Sequence, residues 1–235
     1  MFDVILKGGD VVDGTGRKRY QGDVGITADR VTVIGNLKDA EAIKTLDVTD
    51  KIVCPGFVDV HTHLDAQVFW DGTLSPSPLH GVTSVIGGNC GFTIAPLSDD
   101  PSVGDYLMRM LSRVEGIPLA CLQEGVPWSW KSTAEYFEAM EGGLSINAGF
   151  KIGHSALRRV VMGAASTERA STKNELSAMQ ELLREGLQAG GIGFSSSWSR
   201  THNDPQGNMV PSRYAEREEM IGLCEVLSEF DGTSI

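Results

Sequence analysis

The residues best suited to chemistry in this chain fall at the ends of short apolar runs. In CPGFVDVHTHLD, positions 54–65, His61 and His63 stand two apart after a run that contains a proline and a glycine. On an extended strand such side chains point the same way, and beyond the strand's C-terminal end they converge on one site. Imidazole is the commonest metal ligand and suits Zn, Fe, Ni and Cu. The same spacing also fits two histidines hydrogen-bonded at a strand end. Asp59, two residues earlier on the same face, orients a ligand histidine or hydrogen-bonds a loop. In GVTSVIGGNCGFTIAPLS, positions 81–98, an apolar run enters Gly87 and Gly88 and leaves Cys90 at a strand's C-terminal end, the edge where α/β sheets build their sites. A thiolate there is a strong zinc ligand, and a buried inert thiol is the alternative. Acting as a nucleophile, Cys90 would need an adjacent base.

Two further stretches end in the same way. GFKIGHSALRRVVMG, positions 149–163, puts His154 at the end of a third strand, either facing the same site or fixing its own loop. Arg158 in the following turn could hold a substrate carboxylate through its planar fork, or pair locally. GFSSSWSR, positions 193–200, closes a fourth strand with hydroxyls that line a pocket or cap the chain. His80 and His202 have no partner at a telling spacing and receive no role.

The elements that must hold these residues are legible from pattern. The first fifty residues alternate apolar and polar positions and break at Gly-Gly and Asp-Gly, which predicts short antiparallel strands. From position 51 apolar runs alternate with helical stretches, the grammar of βα units and a mostly parallel sheet. Strands are expected over 56–61, 83–87, 146–153 and 192–196. A helix is expected over 172–188, opened by a Thr172/Glu175 capping box and stopped by Gly190 and Gly191, and another over 212–228. The domains expected are 1–54, a β-strand segment, and 55–235, a run of βα units.

At 235 residues the chain can bury a sizeable core. Its formal charge of −11, from 20 basic and 31 acidic residues, disfavours nucleic acid and anionic membranes as partners. No apolar run approaches the ~20 residues of a membrane span, and the N-terminus lacks the pattern of a signal peptide, so a cytoplasmic location is expected. Cys54, Cys90, Cys121 and Cys224 form no CxxC pair and read as free thiols.

Five motifs in order, VILKGGDVVDGTG, CPGFVDVHTHLD, HGVTSVIGGNCGFTIAPLS, IGHSALRRVVMG and GGIGFSSS, resemble the N-acyl-D-amino-acid deacylase branch of the amidohydrolase superfamily. The resemblance implies an α/β fold, a metal-dependent (βα)8 barrel preceded by a strand segment of a small β-sandwich. It implies metal ligation by His61 and His63 and by Cys90 of the GNCG stretch, one or two divalent ions with zinc preferred, and amide hydrolysis of small-molecule N-acyl-D-amino acids by metal-activated water. Members of that branch run to about twice this length, and later strands supply two more histidine ligands and a proton-shuttling aspartate. The expectation is therefore an N-terminal part with the first four or so βα units, inactive alone. A non-catalytic module pairing its exposed sheet edges with a complementing chain or another copy is the alternative.

Overall fold

The computed structural model describes all 235 residues, Met1 to Ile235, as two compact units, Met1–Gly56 and Phe57–Ile235. In the first, β1 (Phe2–Val11), β2 (Tyr20–Thr27) and β3 (Arg30–Gly35) form an antiparallel meander. The β2–β3 turn falls at Ala28 and Asp29, and Ala28 has φ 53°. The expectation of antiparallel strands holds only for these three. β4 (Ala42–Asp47) and β5 (Ile52–Val53) both run parallel to β1, which is ten residues long and so has room to pair with them one after the other. All five strands belong to one sheet. Ile5, Val11, Val24 and Leu37 make its buried side.

The second unit carries the βα pattern. β6 (Phe57–Asp59), β7 (Val82–Gly87) and β8 (Asn147–Phe150) form a parallel sheet in that order. Between β7 and β8 lie α1 (Pro101–Glu115), α2 (Leu119–Gly125) and α3 (Thr133–Met140). The third expected strand is split: the sheet register ends at Phe150, and β9 (Ile152–Gly153) pairs instead with β10 (Phe194–Ser195). Between them run α4 (His154–Met162) and α5 (Lys173–Gln188), and α6 (Arg217–Leu227) closes the unit. No barrel closes: the strands make a three-stranded and a two-stranded piece.

Helix ends follow local chemistry. Asp100 caps α1 by accepting the Ser102 N–H, with Pro101 at the first helical position, where its missing N–H is harmless. Thr172 and Glu175 form the expected capping box of α5. α6 is shorter than predicted, because Ala215 and Glu216 are extended, so the helix begins only after Glu216. Val103, Leu107, Met110 and Leu111 of α1 pack with Phe92, Trp130, Tyr136 and Phe150 in one core; Met179, Leu183 and Leu187 of α5 pack with Phe194, Leu223 and Val226 in another. No helix is long and apolar enough to cross a membrane.

Candidate metal centre

His61 and His63 follow β6 directly, and their rings sit 5.3 Å apart, edge to face. The segment is pinned to the end of β7 through the residue between them. Thr62 donates its N–H (3.0 Å) and its hydroxyl (2.9 Å) to the Ile86 carbonyl, and Asn89 Nδ2 donates to the carbonyls of Thr62 (3.3 Å) and Ile86 (2.8 Å). With Thr62 buried inward, the alternation of an extended chain turns both histidines to the other side. Asp59 accepts the His61 backbone N–H at 3.2 Å; its role is to hold the loop and not to orient a ring.

Cys90 arrives from β7 through a tight turn. Gly88 has φ 70°, and a Cβ there would collide with the Lys151 carbonyl. Cys90 itself has φ 55°, a left-handed conformation that costs a non-glycine residue about 1–2 kcal/mol. Ser195 at the end of β10 clamps this turn, its hydroxyl donating to the Gly88 carbonyl and accepting the Gly91 N–H at 2.8 Å. The strained turn carries the Cys90 Sγ to 3.5 Å from His61 Nε2. One ligand atom from each of His61, His63 and Cys90 lies within 4.8 Å of the others. Strain held at a polar cluster is the pattern expected of a functional site.

The donor set fits a soft divalent cation. Burial, reinforced by His61 and His202, lowers His63 to about 4, so the ring is neutral at physiological pH and free to ligate. Burial, then the charge of Glu115, pushes the Cys90 thiol up. His63 Nδ1 is buried without a hydrogen-bond partner: Glu115 Oε1 lies 3.4 Å away but does not make the bond. A cleft of about 480 Å³ lined by Phe137, Met140, Leu144 and Phe150 lies away from the cluster.

The other candidates go elsewhere. His154 is buried with both nitrogens engaged, Nε2 with Glu219 (2.7 Å) and Nδ1 with Ser196 Oγ (2.9 Å). Arg158, fully buried, gives its fork to Glu219 and to the Ser166 and Arg169 carbonyls, so it holds no substrate carboxylate. Ser171 adds a 2.6 Å bond to Glu219. Burial alone would raise Glu219, but the hydrogen bonds from His154, Arg158 and Ser171 outweigh it and hold the carboxyl at about 2. Sequence reasoning missed Glu115, Ser195 and His202. The His202 ring packs edge to face on Phe92 (4.9 Å), whose other neighbour is His63 (6.5 Å), and Ser197 Oγ lies 2.6 Å from its Nδ1. Only the hydroxyl run 195–197 signalled any of this in the sequence.

Known proteins share both the pattern and the fold. The amidohydrolase family pattern matches residues 44–234. D-aminoacylase of Alcaligenes xylosoxydans xylosoxydans is 34% identical over 233 residues, 98% of this chain and 43% of that protein. A D-aminoacylase structure with a binuclear metal centre aligns over 97% of this chain and 43% of its own, with a TM-score of 0.77 and 34% identity. The N-acyl-D-glutamate deacylase of Bordetella bronchiseptica, complexed with zinc and a phosphonate inhibitor, aligns over 97% of this chain and 43% of its own, with a TM-score of 0.76 and 31% identity. The chain thus spans less than half the length of the relatives it matches. With the family pattern covering most of its residues and the likeness running nearly end to end, the chain belongs to the amidohydrolase family.

Proposed function

We propose that His61, His63 and Cys90 hold a divalent metal, zinc in preference, and that this chain is the N-terminal part of a hydrolase cleaving the amide of N-acyl-D-amino acids. The observation that carries the reading is the convergence of two imidazoles and a thiol within 4.8 Å at the ends of adjacent parallel strands. Cysteine and histidine together favour zinc over harder cations. D-aminoacylase and the zinc-complexed deacylase among the relatives support both the metal and the substrate class.

When bound, the metal supplies Lewis acidity for hydrolysis of an acyl amide by water. The chain's own residues do the rest of the work visible here. Thr62 and Asn89 fix the spacing of the histidines, Ser195 holds the Cys90 turn, and Phe92 walls one side of the cluster. The three candidate ligands include no acid or base free to move a proton, and the relatives are more than twice as long. We propose that the 235 residues alone bind metal without turnover. Four free thiols accord with a reducing, cytoplasmic setting.

Elemental analysis after zinc loading, on the wild type and on Cys90→Ala, tests the proposal together with an assay for free D-amino acid from N-acetyl-D-amino acids. Near-stoichiometric zinc that is lost on substitution, with no turnover, is expected. A wild type that takes up no zinc would overturn the reading.

One observation favours a second reading, in which this chain pairs with a complementing chain or another copy. β6 is a sheet edge, and Phe57 and Val58 within it and Val60 just after it are 60%, 56% and 62% exposed. Sedimentation velocity decides it: a concentration-independent monomer would rule self-pairing out.

A further inference from the structure

Glu115 sits where a carboxylate is costly. It is the last residue of α1, at the negative end of the helix dipole, where acidic residues are disfavoured and basic ones preferred. It is half-buried, and it makes no ion pair with any lysine or arginine, although Arg113 shares its turn. The polar group it faces is His63 Nδ1, 3.4 Å from Oε1, and that nitrogen is itself buried and without a hydrogen bond. Two groups that each lack a partner thus face one another across a gap a few tenths of an ångström longer than a hydrogen bond. A charged side chain kept in such a place against local preference marks a functional constraint.

Resting on the metal reading above, we propose that Glu115 is the positioning carboxylate of the metal centre: it takes the Nδ1–H of His63 and so leaves Nε2 as the nitrogen that His63 offers to the metal. A histidine bound to a metal through one nitrogen needs an acceptor for the other N–H, which fixes the tautomer, orients the ring and strengthens the ligand. Helix α1 serves as the arm that delivers this acceptor. Val103, Leu107, Met110 and Leu111 anchor it in the core, and Gly116, with φ 68°, ends it immediately after the carboxylate. Glu115 touches neither substrate nor metal; it acts through His63.

Zinc affinity, measured by competition with a chromophoric chelator, tests the inference without any assay of turnover. Glu115→Ala should weaken zinc about 10- to 100-fold, and Glu115→Gln, which keeps an acceptor oxygen without the charge, should fall between it and the wild type. In a His63→Ala background the Glu115→Ala change should have no further effect, because the residue through which it acts is gone. A merely structural role would lower affinity in both backgrounds alike. Equal affinity of wild type and Glu115→Ala, or additive losses in the double variant, would overturn the inference and leave the metal site standing. A wild type that binds no zinc would overturn both. Should Glu115→Ala fail to fold, Glu115→Gln compared in the two backgrounds separates the same outcomes.

Discussion

Two histidine clusters stand at strand ends in this protein, and they are built to opposite ends. Around His154 every imidazole nitrogen has a partner, the carboxylate of Glu219 is shared among His154, Arg158 and Ser171, and of the polar atoms only Arg158 Nε is left over. Around His61 and His63 the opposite holds: the nitrogens face each other, a thiol and an unbonded carboxylate, and one of the contributing residues is backbone-strained. A histidine at the C-terminal end of a strand is therefore not in itself a site. The distinction lies in whether its hydrogen-bonding capacity is already consumed by the fold.

Substituting each cluster should separate the two kinds of role. The largest effect is expected at the open one: Cys90→Gly should abolish zinc binding while stabilising the metal-free fold by about 1 kcal/mol, since glycine relieves the left-handed strain. Elemental analysis beside urea unfolding reads both. Destabilisation without metal would mean that Cys90 is a packing residue.

At the closed cluster, Glu219→Ala should destabilise the chain by about 3–5 kcal/mol, because it strands a buried guanidinium, while leaving zinc stoichiometry unchanged. Chemical denaturation with metal analysis of the folded fraction checks it. Loss of zinc with little loss of stability would merge the two clusters into one site.

The closed cluster also predicts an acid limb. Glu219 titrates at about 2 in the fold against 4.5 ordinarily. Between those values the unfolded chain is protonated and the folded one is not, so stability rises with pH across that window. The contribution is complete above about 4.5 and lost as pH falls toward 2. Glu219→Gln should therefore narrow its deficit relative to the wild type as pH drops from about 5 to about 3, as urea midpoints would show. A constant deficit would contradict it.

The smallest change serves as the control. Thr172→Ala removes the α5 cap and should cost about 1 kcal/mol by thermal denaturation, with zinc affinity untouched. A shift in affinity would mean that α5 transmits strain to the metal centre.

Legibility in the sequence follows the range of the interactions. The capping box of α5 spans three residues, and the pairing of His61 with His63 spans two, so both can be read directly. The fate of His154 depends on Glu219, 65 residues away, and its one-dimensional setting resembles that of His63. Arg158 reads as a substrate clamp until Glu219 and the carbonyls of Ser166 and Arg169 are seen to take its fork. Glu115 is invisible as a partner because it lies 52 residues from His63 in the chain, and only the folded position of the C-terminal end of α1 brings its carboxylate to that ring. The break in the third expected strand at Lys151 is likewise set by which neighbour each half pairs with, β7 before it and β10 after it, and not by any local signal.

The claim on which most depends is that a thiolate and two imidazoles share one metal. Zinc-edge X-ray absorption on the loaded 235-residue chain addresses it most directly. A first shell with one sulfur at about 2.3 Å and nitrogens at about 2.0–2.1 Å is the predicted result. A shell of nitrogen and oxygen alone, with no sulfur, would place the metal away from Cys90 and contradict the account.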